Sequence, residues 1–95
     1  MREKLTDESI ARELAGLAGW TRDGDTLRKT LALPSFADAI GLVNRVATAA
    51  DTMDHHPDMD IRYNKVSFAL STHSAGGLTA LDFDLARRID ALAGG

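Results

Sequence analysis

With 95 residues, 44% of them hydrophobic, the chain has material for one hydrophobic core, and a single domain over residues 1–95 is expected. No cysteine is present, which excludes disulfides, thiolate metal sites and a cysteine nucleophile. The net charge of −3 comes from 11 basic and 14 acidic residues interleaved along the chain, so the segregated basic surface of a nucleic-acid binder is missing, and no run approaches the roughly 20 apolar residues that span a bilayer. The opening MREKLTDES has no long apolar stretch of the secretory type, and a soluble, cytoplasmic protein is expected. A domain of this size buries only about 60–65% of the surface its unfolded chain exposes, so association between subunits would add stability that a small core does not supply.

Thr6 followed by Asp7, Glu8 and Ser9 predicts a helix start, because the threonine oxygen caps free amides and carboxylates suit the positive end. Ile10, Leu14 and Leu17 fall on one face, and Gly16 and Gly19 weaken the helix before Gly19-Trp20 leads into extended chain. Asp23-Gly24-Asp25 separates two strand-like runs and predicts a hairpin. In the second run Leu27, Lys29, Leu31 and Leu33 share one parity, with Lys29 the exception on an otherwise apolar face. Pro34-Ser35 opens a second helix, with Ser35 as cap and Asp38 at the capping-box position. Phe36, Ile40, Val43, Ala47 and Ala50 form its apolar stripe, and the helix is expected to run to His56, where Pro57 stops it.

From Asp58 the pattern predicts a short strand, a turn at Asn64-Lys65, and a strand through Thr72 in which Val66, Phe68 and Leu70 alternate with Ser67, Ala69 and Ser71. Continuing that parity puts His73 on the small, polar face. Gly76-Gly77 reads as a turn, not a phosphate loop, and Thr79 caps a last helix with the stripe Leu81, Leu85, Ile89 and Leu92. The order α-β-β-α-β-β-α predicts an α+β fold, a four-stranded antiparallel sheet with three helices packed on one face. Its other face, being less apolar, would meet solvent, a ligand or another subunit.

All three histidines, His55, His56 and His73, lie within nineteen residues, each at the end of a predicted element, where functional groups tend to be displayed. Imidazole titrates at about pH 6.5 and so can give or take protons near neutrality; the dipole at a helix C-terminus is the structural alternative for a histidine placed there. Consecutive helical residues diverge by about 100°, so His55 and His56 should not aim at one ion. Asp51 and His55, four apart, would share a face and could bind a metal with His73, but the closely spaced histidines of the usual signatures are absent, and no metal is expected. Ser71 and Ser74 flank His73 without a nucleophile-elbow pattern. Asp54 is a candidate to orient an imidazole. Asp82, three residues after Thr79, has a capping-box duty at hand. Trp20 and Tyr63 could pack beside a flat ligand, although core packing is the expected use of each.

The run from Asp51 to Asp82 closely resembles the signature of the pterin carbinolamine dehydratases: Asp51, three positions, His55-His56-Pro57, five positions, Tyr63, nine positions, His73, and then Asp82. The segments Tyr63-Asn64-Lys65-Val66 and Thr72-His73-Ser74-Ala75-Gly76-Gly77-Leu78-Thr79 are also similar to the family, while Asp51 is shorter than the glutamate many members show. The resemblance implies an α+β domain that eliminates water from 4a-hydroxytetrahydrobiopterin to give quinonoid dihydropterin, recycling the cofactor of aromatic amino acid hydroxylases. It implies His55 and His73 as the acid/base pair and His56 as the group that binds or polarises the pterin, with Asp54 assisting. Asp51, Pro57, Trp20, Thr72 and Asp82 would border the pterin or support the histidines. No cofactor is implied, the pterin being the substrate; a homodimer or homotetramer is, with a hydroxylase as pathway partner and neither nucleic acid nor membrane. Two other roles occur to the same resemblance: a non-catalytic dimerisation or coactivator module, and a pterin-handling step near molybdopterin metabolism.

Overall fold

A computed structural model describes residues 3–94. Its elements are α1 (Asp7–Ala15), β1 (Thr21–Asp23), β2 (Thr26–Ala32), α2 (Phe36–Met53), β3 (Asp58–Arg62), β4 (Lys65–Leu70), a single 3-10 turn (His73–Ala75) and α3 (Ala80–Gly94), in the expected order. The four strands form one antiparallel sheet in the order β1-β2-β4-β3. Strand β4 is central because its alternation suits a strand with neighbours on both sides: Val66, Phe68 and Leu70 are fully buried, while Ser67 and Ala69 face the other way. The edges are polar, with Thr21, Arg22 and Asp23 exposed on β1 and Asp58, Asp60 and Arg62 on β3, which discourages unwanted pairing.

The helices cover one face of this sheet. Ile10 of α1, Leu42 and Val46 of α2, and Phe83, Leu85 and Ile89 of α3 close over Leu27, Val66, Phe68 and Leu70. Thr6 and Ser35 cap α1 and α2 as expected, accepting from the Ser9 and Asp38 amides. Lys29, the exception in β2, lies on the covered face because its charge is met there: Nζ donates to Asp90 Oδ1 at 2.8 Å and to the Ala18 carbonyl at 3.0 Å, and sits 5.8 Å from the Trp20 ring centroid. Trp20 Nε1 donates to the same carboxylate at 3.1 Å. Among the described residues no helix is long and apolar enough to cross a membrane.

Several expectations are corrected. The core face of α2 is Ala39, Leu42, Val46, Ala49 and Ala50, rotated from the expected stripe; of that stripe only Ala50 is buried, and Phe36 is 51% exposed. Apolar residues cover so much of this helix that periodicity alone does not say which stripe points inward. The helix ends at Met53 and not at His56, because Asp54 takes a left-handed conformation (φ 51°, ψ 43°) whose amide donates to the Ala50 and Asp51 carbonyls. The β3–β4 turn is Tyr63-Asn64, fixed by the pairing of Arg62 with Lys65, and Tyr63 is 74% exposed instead of packed in the core. Regular pairing of β4 stops at Leu70, and Thr72 makes only an isolated bridge to Gly77.

Candidate active site

The left-handed turn at Asp54 sends the two adjacent histidines in opposite directions. His55 turns inward, 6% exposed, and its Nε2 lies 2.6 Å from Asp82 Oδ1. Asp82 is completely buried, and its second oxygen accepts from the Thr72 hydroxyl at 2.8 Å and from the Thr79 amide at 2.9 Å. With its hydrogen given to Asp82, Thr72 Oγ1 accepts from Thr79 Oγ1 at 2.9 Å, and Thr79 Oγ1 in turn accepts from the Leu81 amide at 3.2 Å. A carboxylate can be held in a dry interior only when donors surround it, and this one receives three. Among the described residues no buried side-chain nitrogen or oxygen lacks a partner. Asp82 is thus both the capping-box residue of α3 and the seat of His55. Its bond to the imidazole fixes Nε2 as the donor and leaves Nδ1 as the nitrogen with a lone pair when the ring is neutral.

His56 turns outward. Its Nε2 meets Asp51 Oδ1 at 2.9 Å, with both side chains mostly exposed. The shared face that spacing allowed to Asp51 and His55 does not form: once the helix stops at Met53, the residue five positions on comes within reach of Asp51, and the one four positions on points into the core. His73 begins the 3-10 turn after β4 and is exposed, and its ring is held by no hydrogen bond or ion pair among the described residues.

All three histidines line one small pocket of about 260 Å³, together with Asp54, Thr72 and Ser74. His56, His73 and Ser71 also line a larger pocket of about 440 Å³ that runs over the open face of the sheet past Arg28, Asp58 and Ala69. The histidines therefore stand where the two cavities adjoin. Of the other expected site residues, Asp54 and Thr72 line the small pocket, Asp51 and Asp82 support a histidine each, and Pro57 joins His56 to β3. Trp20 does not join them: it is 5% exposed in the core, lines neither pocket, and commits its N–H to Asp90. Among the described residues no three histidine or acidic side chains are grouped so as to hold a metal ion. Arg28, Asp58 and Ser71 were not singled out as site residues; the signal available for them was the parity of β4, whose small side chains all face the uncovered side.

The family model described as pterin 4 alpha carbinolamine dehydratase matches residues 3–92. The chain belongs to this family. Two relatives that carry the provisional name pterin-4-alpha-carbinolamine dehydratase match nearly end to end. The one from Nocardia farcinica is 58% identical over 91 residues, covering 96% of each chain. The one from Sulfurisphaera tokodaii is 46% identical over 90 residues, covering 95% of this chain and 97% of that one. A solved Brucella melitensis structure, described as a transcriptional coactivator/pterin dehydratase, superposes with a TM-score of 0.94 at 33% identity, covering 97% of this chain and all of that one. The dehydratase fold also extends to a pterin dehydratase-like protein described as a RuBisCO assembly factor of the alpha-carboxysome, with a TM-score of 0.66 at 23% identity over 80% of this chain and 88% of that one.

Proposed function

We propose that this protein dehydrates 4a-hydroxytetrahydrobiopterin to quinonoid dihydropterin by histidine acid/base catalysis, in the cytoplasm, recycling the pterin of aromatic amino acid hydroxylases. The observation that carries the reading is that His55, His56 and His73 line one pocket while being held in three different ways, seated, rim-paired and unheld. The reaction breaks the C4a–O bond and forms a C4a=N5 double bond. One group must give a proton to the departing hydroxyl so that it leaves as water, and another must take the N5 proton. His55 and His73 are assigned to these two transfers. Asp82 holds the His55 ring through Nε2 and leaves Nδ1 as the nitrogen open to the transfer. His56 is assigned to binding or polarising the pterin from the rim, with Asp51 orienting its ring, and Asp54 borders the same pocket. The protein acts as a homodimer or homotetramer in this reading.

Stopped-flow ultraviolet absorbance of 4a-hydroxytetrahydropterin decay tests it. The protein should accelerate decay over buffer, and alanine at His55 or His73 should remove about 10²-fold or more of the acceleration, the usual contribution of a positioned proton carrier. No acceleration, or three alanine variants as fast as the parent, would refute the proposal. A second reading, a binding module without catalysis, draws on the coactivator description of the Brucella melitensis structure. It predicts a regulatory partner retained after all three histidines are replaced, measured by pull-down. A preference for a molybdopterin-type ligand over biopterin would point to the other pterin reading, a step near molybdopterin metabolism.

A further inference from the structure

Because no hydrogen bond or ion pair holds the His73 ring among the described residues, its place depends on the loop that carries it. That loop is closed at its base by a bridge between Thr72 and Gly77, whose two N–H to carbonyl bonds measure 3.1 and 3.4 Å. Within it the Ala75 and Gly76 amides donate to the Thr72 and His73 carbonyls, both at 3.0 Å, and Gly76 turns the chain in a left-handed conformation (φ 72°). His73, Ser74 and Gly76 are exposed, while Thr72 and Gly77 at the base are buried. Thr72 is tied down on its side by the hydrogen bond to Asp82. The other side is covered by the chain ahead of α1: the Leu5 amide donates to the Leu78 carbonyl at 2.8 Å, and Leu5 packs against the core that includes Leu78.

Gly77 shows how close this cover lies. Unlike Gly76 it has no left-handed backbone, so φ alone does not call for glycine. Space does: a Cβ there would stand 2.8 Å from Lys4 Cε and 3.3 Å from Cδ and Cγ, closer than carbon atoms pack. The Lys4 stem therefore lies directly on the bare backbone at the base of the loop, as long basic side chains do over buried chain. We infer that Lys4 and Leu5 form a strap that positions His73, fixing the base of its loop from outside as Asp82 fixes it from within, and that Gly77 is glycine so as to admit the strap. The strap is itself anchored, because it runs straight into Thr6 and α1, whose Glu13 pairs with Arg87 of α3 at 3.0 Å. A proton carrier displaced by about 1 Å loses up to about 10²-fold in rate, so a contact remote from the pterin reaches the chemistry through the loop. The inference rests on the dehydratase reading above, in which His73 transfers a proton.

Dehydration rates and amide hydrogen exchange, both on the full chain, test it together. Lys4→Ala removes the stem of an exposed side chain and should lower kcat about 3–30-fold with KM within about twofold, because nothing that borders the pterin has changed. Lys4→Met, which keeps a stem of the same reach without the charge, should recover the parent kcat. Gly77→Ala should slow dehydration as Lys4→Ala does, yet change kcat by less than about twofold when added to Lys4→Ala, where its methyl group has room. Exchange of the Thr72 and Gly77 amides should quicken about tenfold or more in Lys4→Ala, while that of the Thr79 amide, which Asp82 holds, stays as in the parent. Leu5→Pro, which deletes the donor to Leu78, should give the same pattern. A Lys4→Ala protein with the parent kcat, or with unchanged exchange at Thr72 and Gly77, would overturn the strap while dehydration by the parent stands. So would full addition of the Lys4→Ala and Gly77→Ala effects. A parent protein that does not accelerate dehydration would overturn the pterin reading and this inference with it.

Discussion

The three histidines differ most in what holds them, and that difference separates their roles experimentally. The His73 ring is exposed and makes no hydrogen bond or ion pair among the described residues, so His73→Ala should leave stability within about 0.5 kcal/mol of the parent while dehydration slows. His55→Ala removes a donor from a buried carboxylate and should cost about 2–4 kcal/mol as well as activity. Urea unfolding followed by circular dichroism measures the contrast. Equal stability losses in the two variants would show that the Asp82 seat is not what holds His55. His56 lies between them, since an exposed pair such as His56–Asp51 is worth at most about 1 kcal/mol.

At the scale of elements, the chain shows why some features were legible in sequence and others were not. Caps at Thr6 and Ser35 are local chemistry, written in two or three adjacent residues, and both form as expected. The buried parity of β2 and β4 is equally local, and even Lys29 keeps its place in it. The rotation of α2 was not legible because it depends on how the helix meets α3 and the sheet, not on its own period. The divergence of His55 and His56 was expected from helical geometry, but their partners were not, since a single left-handed residue at Asp54 decides which carboxylate each one meets. Asp82 illustrates the limit well: three-residue spacing from Thr79 revealed the cap, whereas its bond to His55, twenty-seven residues away, needed the fold. The hairpin between β3 and β4 carries a second left-handed residue, Tyr63 at φ 53°, where a bulky side chain is strained. Tyr63→Gly should raise stability by about 0.5–1 kcal/mol, read as a higher urea midpoint at unchanged slope. A lower midpoint would mean that the ring contributes more by contact than its backbone costs.

For the molecule as a whole, Phe36, Ile61 and Tyr63 are the exposed large hydrophobic residues among those described. The proposed homodimer or homotetramer has a thermodynamic signature, because subunits released on unfolding make the transition depend on concentration. Thermal melts should shift upward by about 3 °C for each tenfold increase in protein, and light scattering should give a multiple of the subunit mass. A midpoint independent of concentration would leave a monomer. The shared duty of Asp82 has a further meaning for lineages built on this fold. A descendant that abandoned the chemistry would still need a carboxylate there to start α3, so Asp82 would persist as an architectural relic and tell an observer nothing about activity. The His73 ring supports no neighbour among the described residues, and so, under the proposed mechanism, its presence or loss is the trait that would distinguish a working dehydratase from a silent copy.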